Sequence, residues 1–198
     1  MNFPVQIFGI LPFGPDASCS PSKVAALPIV TLNDLVSLVP KGMRLLGLDP
    51  GTRTIGLAIS DGGLKVASPI GTIRRRKFTQ DAAELAAICK ERDVGGLVIG
   101  LPVNMDGSEG PRCQSVRQLA ENLITKTGLT QPIAFWDERL STSAVERFLV
   151  SEADMTRKRR AEVVDKMAAA YILQGALDAL SHRAFNAAAA SSDPSRNA

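Results

Sequence analysis

The sequence predicts a mixed α/β fold organised on one sheet, with the first strands antiparallel and helices on both faces. Three observations predict it. An apolar run, Leu45 to Leu48, is followed by Asp49, a Pro50-Gly51 turn and a second apolar run with Gly56 inside it, which reads as strand, tight turn, antiparallel strand. A third candidate strand, Val66 to Arg74, is entered from the Gly62-Gly63 turn and completes a meander. Further on, the short apolar runs 96–101 and 132–136 alternate with helical segments, as buried parallel strands do when helices join them.

The other elements follow in order. Residues 1–29 are rich in Pro, Ser and small residues without a period, and are expected to be a flexible N-terminal extension. Pro4 and Pro12 bracket their apolar stretch, Val5 to Phe13, and no basic residues precede it. It is a poor signal peptide and too short to span a membrane. Thr31-Leu32-Asn33-Asp34 has the form of a capping box, with Asp in the Glu position, and opens a short helix to Val39 that Pro40 and Gly42 stop. Met43 directly precedes the first strand, so a shorter translated form is conceivable.

After the meander, Arg74-Arg75-Arg76-Lys77 leads to Thr79. That residue is a candidate cap for a helix to about Glu91, with Ala83, Leu85, Ala86 and Ile88 as its apolar contacts. Strand Gly96 to Leu101 opens into the loop Pro102 to Pro111, and a helix from Arg112 to Thr127 follows. Strand Pro132 to Trp136 ends in Asp137-Glu138-Arg139, and Ser141 or Thr142 can cap the next helix. Trp136 abuts a buried strand and reads as core. The last helix covers about Arg157 to Leu180. The domain organisation expected is an extension over 1–29, one α/β domain over 30–182 and a disordered Ala/Ser-rich tail over 183–198.

Composition narrows the chemistry. A hydrophobic content of 45% with 22% charged residues fits a globular protein, and a net charge of +3 permits nucleic-acid binding without requiring it. The three cysteines, Cys19, Cys89 and Cys113, are scattered, so neither a zinc site nor a disulfide framework is signalled, and a reducing, cytoplasmic location is expected. His182 is the only histidine, which excludes histidine triads and multi-histidine metal sites.

Acids remain. At about 100° per residue, Asp165 shares a face of the last helix with Ala161, Ala168, Ala169, Ile172 and Ala176, small or apolar residues that let a helix press onto a sheet. A carboxylate there stays ionised only if a cation holds it. Asp49 and the pair Asp137-Glu138, each at a strand end, are its natural companions. Neighbours on a continuing strand face opposite ways, so one of Asp137 and Glu138 is expected to enter the site while the other pairs with Arg139 or caps a helix.

Oxygen-only donors suit Mg²⁺ or Mn²⁺, and clustered carboxylates holding such ions suit phosphodiester hydrolysis. The plainer alternative pairs these acids with Arg53, Arg139 or Lys166. Candidate nucleic-acid contacts are Arg53, Arg139, the loop residues Asn104 and Ser108, and the basic run Arg157-Lys158-Arg159-Arg160. The alternatives are a solvated helix start for the basic run and a plain connection into a helix for the loop.

Four blocks together resemble the YqgF (RuvX) family of pre-16S ribosomal RNA processing nucleases, in the RNase H-like, RuvC-like group. They are Asp49-Pro50-Gly51-Thr52-Arg53-Thr54-Ile55-Gly56 with Ser60-Asp61, Gly100-Leu101-Pro102 with Asp106-Gly107-Ser108, Asp137 to Thr142, and Asp165 with Ala168-Ala169 and Ile172-Leu173-Gln174. The resemblance spans roughly 44–181. It implies an RNase H-like fold with a five-stranded sheet whose first three strands are antiparallel, and a metal-dependent nuclease site of Asp49, Glu138 and Asp165 with Asp137 close by.

Two departures stand out. Many relatives have Lys-Arg where this chain has Arg53-Thr54. RuvC-like resolvases carry a Glu at the end of the fourth strand, where this chain has Gly100-Leu101-Pro102, so Glu138 would have to substitute. The partner implied is a ribosomal RNA precursor, acted on by a monomer or homodimer without a membrane. Alternatives are a Holliday-junction resolvase acting on branched DNA, which needs a dimer, or a nucleic-acid-binding module with weak catalysis. An actin-type nucleotide-binding ATPase would need a second such domain, for which the chain has no second copy of the hairpin.

Overall fold

The computed structural model describes residues 29–140 and 167–183. Its six strands are β1 (Ile29–Val30), β2 (Arg44–Pro50), β3 (Thr54–Ser60), β4 (Ala67–Arg74), β5 (Val94–Leu101) and β6 (Ile133–Asp137). Three helices, α1 (Leu32–Leu38), α2 (Phe78–Glu91) and α3 (Pro111–Lys126), are joined by a fourth, α4, helical over 167–183. One sheet takes the order β1-β6-β5-β2-β3-β4. β2, β3 and β4 run antiparallel to their neighbours in a meander, and β5, β6 and β1 add in parallel on the other side of β2. β2 therefore lies inside the sheet, with β5 on one side and β3 on the other.

Side-chain alternation divides the core in two. Leu46 and Leu48 of β2, with Leu97 and Ile99 of β5, pack against Leu85 and Cys89 of α2 and against Val116 and Leu123 of α3. Leu45, Ala58, Val98 and Ala134 face the opposite way, onto Leu35 of α1 and Ala169, Leu173 and Leu177 of α4. Burying each large side chain contributes about 1.5–3 kcal/mol before the cost of ordering it. Gly47 allows α4 to close in: a Cβ there would lie 2.7 Å from the Leu173 Cβ and 3.1 Å from the Ala169 carbonyl oxygen. Gln174 then fastens α4 to the start of β4, accepting from Ala67 N at 2.8 Å and donating to the Lys65 carbonyl at 3.0 Å.

Local expectations are met in most places and corrected in others. Thr31 caps α1, accepting from Asp34 N, as the capping box requires. The sheet has six strands where five were expected, because Ile29–Val30 pairs with Ile133 and Ala134 of β6. That strand begins inside the stretch expected to be a flexible extension. Helix α2 is capped at Lys77, not Thr79, which is exposed within its first turn. Asp81 instead reaches back from inside the helix and accepts the N–H of Arg76, the residue ahead of the cap, at 3.1 Å. Ala82 and Cys89 are buried on α2, whereas Ala83 faces solvent. The N-terminal residues 1–28, the region 141–166 and the tail 184–198 lie outside the described residues. So do the expected caps Ser141 and Thr142.

Candidate active site

β2 brings Asp49 to the end of the sheet, half-buried and on the face covered by α4, two residues beyond Gly47. It pairs with Gly56 across the β2–β3 hairpin. On the other side, Leu48 is in register with Ile99, so Gly100 is the next position along β5, and Gly100 is itself in register with Trp136 of β6. The row beside Asp49 thus has no side chain on β5.

β6 stops at Asp137, and the chain turns into a short 3-10 segment, Glu138–Leu140. That turn folds Glu138 back over β5. A Cβ on Gly100 would lie 2.6 Å from Glu138 Oε1 and 2.6 Å from the Ile172 Cδ1 of α4. The Glu138 carboxyl therefore fills the space that a side chain on β5 would take. Gly100 is what makes this placement sterically possible.

The two neighbouring acids have opposite environments. Burial pushes the Glu138 carboxyl up to about 7, the charge on Asp49 pushes the same way, Arg112 opposes and Asp137 adds a little. Asp137 is held below the usual carboxylate range by Arg139, which donates through Nε at 3.0 Å, through a terminal nitrogen at 2.6 Å and through its backbone N–H at 3.0 Å. Asp137 is ion-paired within its own turn, and Glu138 lies near enough to Asp49 to feel its charge.

Arg139 also reaches the Asn104 carbonyl at 3.4 Å, which links the turn to the loop between β5 and α3. That loop is knotted on itself. Asn104 N donates to the Ser108 carbonyl at 3.0 Å, Asn104 Nδ2 to Ser108 Oγ at 3.0 Å, and Asp106 accepts from Ser108 N at 2.9 Å. The two hydrogen bonds from Ser108, side chain first, hold the Asp106 carboxyl below its ordinary value. Between loop and turn lies a cleft of about 470 Å³, with Pro102, Asn104, Met105, Arg112, Glu138 and Arg139 in its wall.

The hairpin tip closes the other side. Arg53 is exposed there, and its carbonyl accepts from Arg75 N at 2.9 Å, while an Arg75 terminal nitrogen donates to the Gly51 carbonyl at 2.9 Å. Asp61, in the first sequence block, has a structural task. It accepts backbone N–H bonds from Lys65 at 2.6 Å and Val66 at 2.9 Å, which hold its carboxyl low and close the β3–β4 turn.

The family described as RuvX, Holliday junction resolvase, matches residues 43–179. The chain belongs to the RuvX family. A protein of Rhodospirillum centenum is 62% identical over 174 residues, which is 86% of this chain and 91% of that one. One of Rhodospirillum rubrum is 62% identical over 154 residues, 78% of this chain and 94% of its own. Both carry the name "Putative pre-16S rRNA nuclease". Among solved structures, Thermus thermophilus RuvC in complex with a Holliday junction substrate aligns with a TM-score of 0.39 at 13% identity, over 66% of this chain and 91% of that one. That likeness is too remote to bear on function.

In this RuvX chain the structure brings Asp49 and Glu138 together and sets Asp137 aside with Arg139. Asn104, Ser108 and Arg139 line or brace the neighbouring cleft, and Arg53 lies on the hairpin that carries Asp49. Asp165, Arg157, Lys158, Arg159 and Arg160 lie outside the described residues. Among the described residues no group of three His, Cys, Asp or Glu side chains could hold a metal ion. The two acids present still suit a hard divalent cation: both offer oxygen only, and their charges oppose each other in a partly buried space. Arg112 is the functional candidate that sequence reasoning passes over. It is an isolated Arg in the first turn of a polar helix, and only the fold brings it near Glu138.

Proposed function

We propose that this RuvX protein is a divalent-metal-dependent nuclease that hydrolyses phosphodiester bonds during 5′-end maturation of the 16S ribosomal RNA precursor. The observation that carries the reading is the Glu138 carboxyl laid over Gly100 beside Asp49. Names of relatives 62% identical along most of their length support the RNA substrate. We assign the ion, Mg²⁺ or Mn²⁺, to Asp49 and Glu138 with Asp165 as the third carboxylate and Asp137 at the margin. Bound there, the ion supplies positive charge to the scissile phosphate and to the attacking water.

The chain's own groups do the rest. Asp49 is fixed by its strand and Glu138 by its turn, so neither must reorganise when substrate arrives. Arg139 holds Asp137 and the 102–110 loop in register with that turn, and thereby acts as a positioning residue. Arg53, Asn104, Ser108 and Arg112 border the approach and contact substrate phosphates, joined by Arg157, Lys158, Arg159 and Arg160.

A cytoplasmic setting fits the buried free thiols of Cys89 and Cys113, and no helix among the described residues is long and apolar enough to cross a membrane. A second reading, a resolvase of branched DNA working as a dimer, is favoured by the family's description. Purified protein with Mn²⁺ or Mg²⁺, tested on a 16S precursor 5′ segment and on a four-way DNA junction, separates them. Cleavage of the RNA that Asp49→Asn abolishes is the expected result. Cleavage of the junction alone favours the second reading, and activity unaffected by Asp49→Asn refutes the site.

A further inference from the structure

Three hollows run away from Glu138 and share walls. The cleft beside Glu138 has Arg112 in its wall. Arg112 also lines a narrow hollow of about 50 Å³ together with Gly51, Thr52, Arg75 and Leu119. Arg75 and Leu119 in turn line a third hollow of about 270 Å³, whose other walls include Leu48, Ile55, Phe78 and Leu85. The path starts at the candidate catalytic acids, passes two guanidinium groups and ends in an apolar chamber between α2 and α3. Both arginines are exposed. Arg75 spends one terminal nitrogen on the Gly51 carbonyl and keeps further donors, and the Arg112 guanidinium is near enough to Glu138 to act on its charge.

We propose that this path binds one unstacked nucleotide of single-stranded RNA next to the cleavage position, its phosphate at Arg112 and Arg75 and its base in the apolar chamber. The proposal rests on the nuclease reading and adds a second subsite to it. Charge complementarity selects the occupant. A nucleotide joins an anion to a flat, largely apolar ring, and the path offers cations followed by an apolar hollow in that order. Of the exposed run Arg74-Arg75-Arg76-Lys77 along the chamber's edge, Arg76 is ion-paired with Glu84, and the other three extend the same positive field. Asp81, the acidic group in the chamber wall, is already committed to the Arg76 N–H at 3.1 Å and 3.2 Å. The chamber therefore takes a base mainly by contact with its faces and edges, which tolerates any of the four bases. A duplex cannot supply such a base without unpairing it, so the subsite favours single strands and junctions over continuous helices.

An abasic scan tests this on the wild-type protein. A short single-stranded RNA that carries one abasic ribonucleotide, moved stepwise along the strand, is titrated in chelator so that it is not cut. One position should lose about tenfold in affinity, the size expected when a single protein-bound base is removed. Ala82→Leu, which places bulk in the chamber wall, should flatten that profile. Arg112→Gln should weaken every oligonucleotide and lower the salt slope by about one.

A flat scan with wild-type protein overturns the proposal, and retained metal-dependent cleavage of the intact RNA would leave the nuclease reading standing. A positional loss seen only with DNA of the same sequence overturns the RNA assignment. Absence of cleavage together with tight, position-dependent RNA binding would sink the nuclease reading and keep the subsite.

Discussion

Glu138→Gln should make the metal-free protein more stable above neutral pH, against the usual effect of altering a half-buried polar residue. The Glu138 carboxyl is pushed from an ordinary 4.5 up to about 7, first by burial and then by the charge on Asp49. At ~1.4 kcal/mol per tenfold, the ionised form is disfavoured by at most ~3.5 kcal/mol, and partial solvation of the side chain lowers this to ~1–2 kcal/mol. The sign follows from proton linkage. An acid whose folded pKa is raised stabilises most below its unfolded value, near 4.5, and that contribution disappears as pH rises to about 7. Glutamine keeps the shape and removes the charge, so it has no such loss.

In chelator at pH 8 the variant should melt about 3–6 °C higher than wild type, and the difference should shrink as pH falls toward 4.5. Mn²⁺ should reverse the order, because wild type gains from the ion and the variant has lost a ligand. Thermal melts across pH, with and without Mn²⁺, check both halves. A variant that melts lower in chelator at pH 8 would show that Glu138 is held by a structural cation partner, and the reasoning would fail.

Two further substitutions probe the packing that makes the site. Gly100→Ala sets a methyl group 2.6 Å from Glu138 Oε1 and from the Ile172 Cδ1, both ends of side chains that can swing aside, so it should cost the fold at most ~1 kcal/mol but displace the carboxyl, with cleavage falling further than stability accounts for. Urea unfolding and single-turnover cleavage on the same sample would show a full-activity variant if that crowding were unimportant. Gly47→Ala meets the Leu173 Cβ at 2.7 Å and should cost ~1–3 kcal/mol by lifting α4 from β2; unchanged urea midpoints would mean that the close helix contact is not needed.

Much of this is legible in the sequence alone, and for physical reasons. The β2–β3–β4 meander follows from turn chemistry and apolar runs, both local in sequence. The same is true of the α1 cap, where Thr31 and Asp34 are three residues apart. β1 escaped because two residues, Ile29 and Val30, carry no period, and their only warrant is a partner strand about a hundred residues away. Thr79 was an attractive cap by residue type, but Asp81 reaches the same end of α2 from inside the helix.

At the site, the acids could be nominated from strand ends and a helix face. The division of labour between Asp137 and Glu138 was foreseeable only as a choice. Strand alternation suggested that they diverge, whereas the structure separates them by ending β6 at Asp137 and turning the chain at Glu138. That Glu138 fills the gap over Gly100 depends on the β5–β6 register, a long-range fact that no local pattern encodes. Arg112 and the hollows beyond it depend in the same way on how α3 lies against the hairpin.

The central claim is that Asp49 and Glu138 form one cation site, and Mn²⁺ binding measured by electron paramagnetic resonance tests it most directly. Wild-type protein should bind the ion saturably at pH 7.5, and Asp49→Asn and Glu138→Gln should each weaken binding by at least about tenfold, as loss of one carboxylate from a shared site does. The double variant should bind little more weakly than either single one, because the two losses are coupled. Unchanged Mn²⁺ affinity in both single variants would contradict the claim.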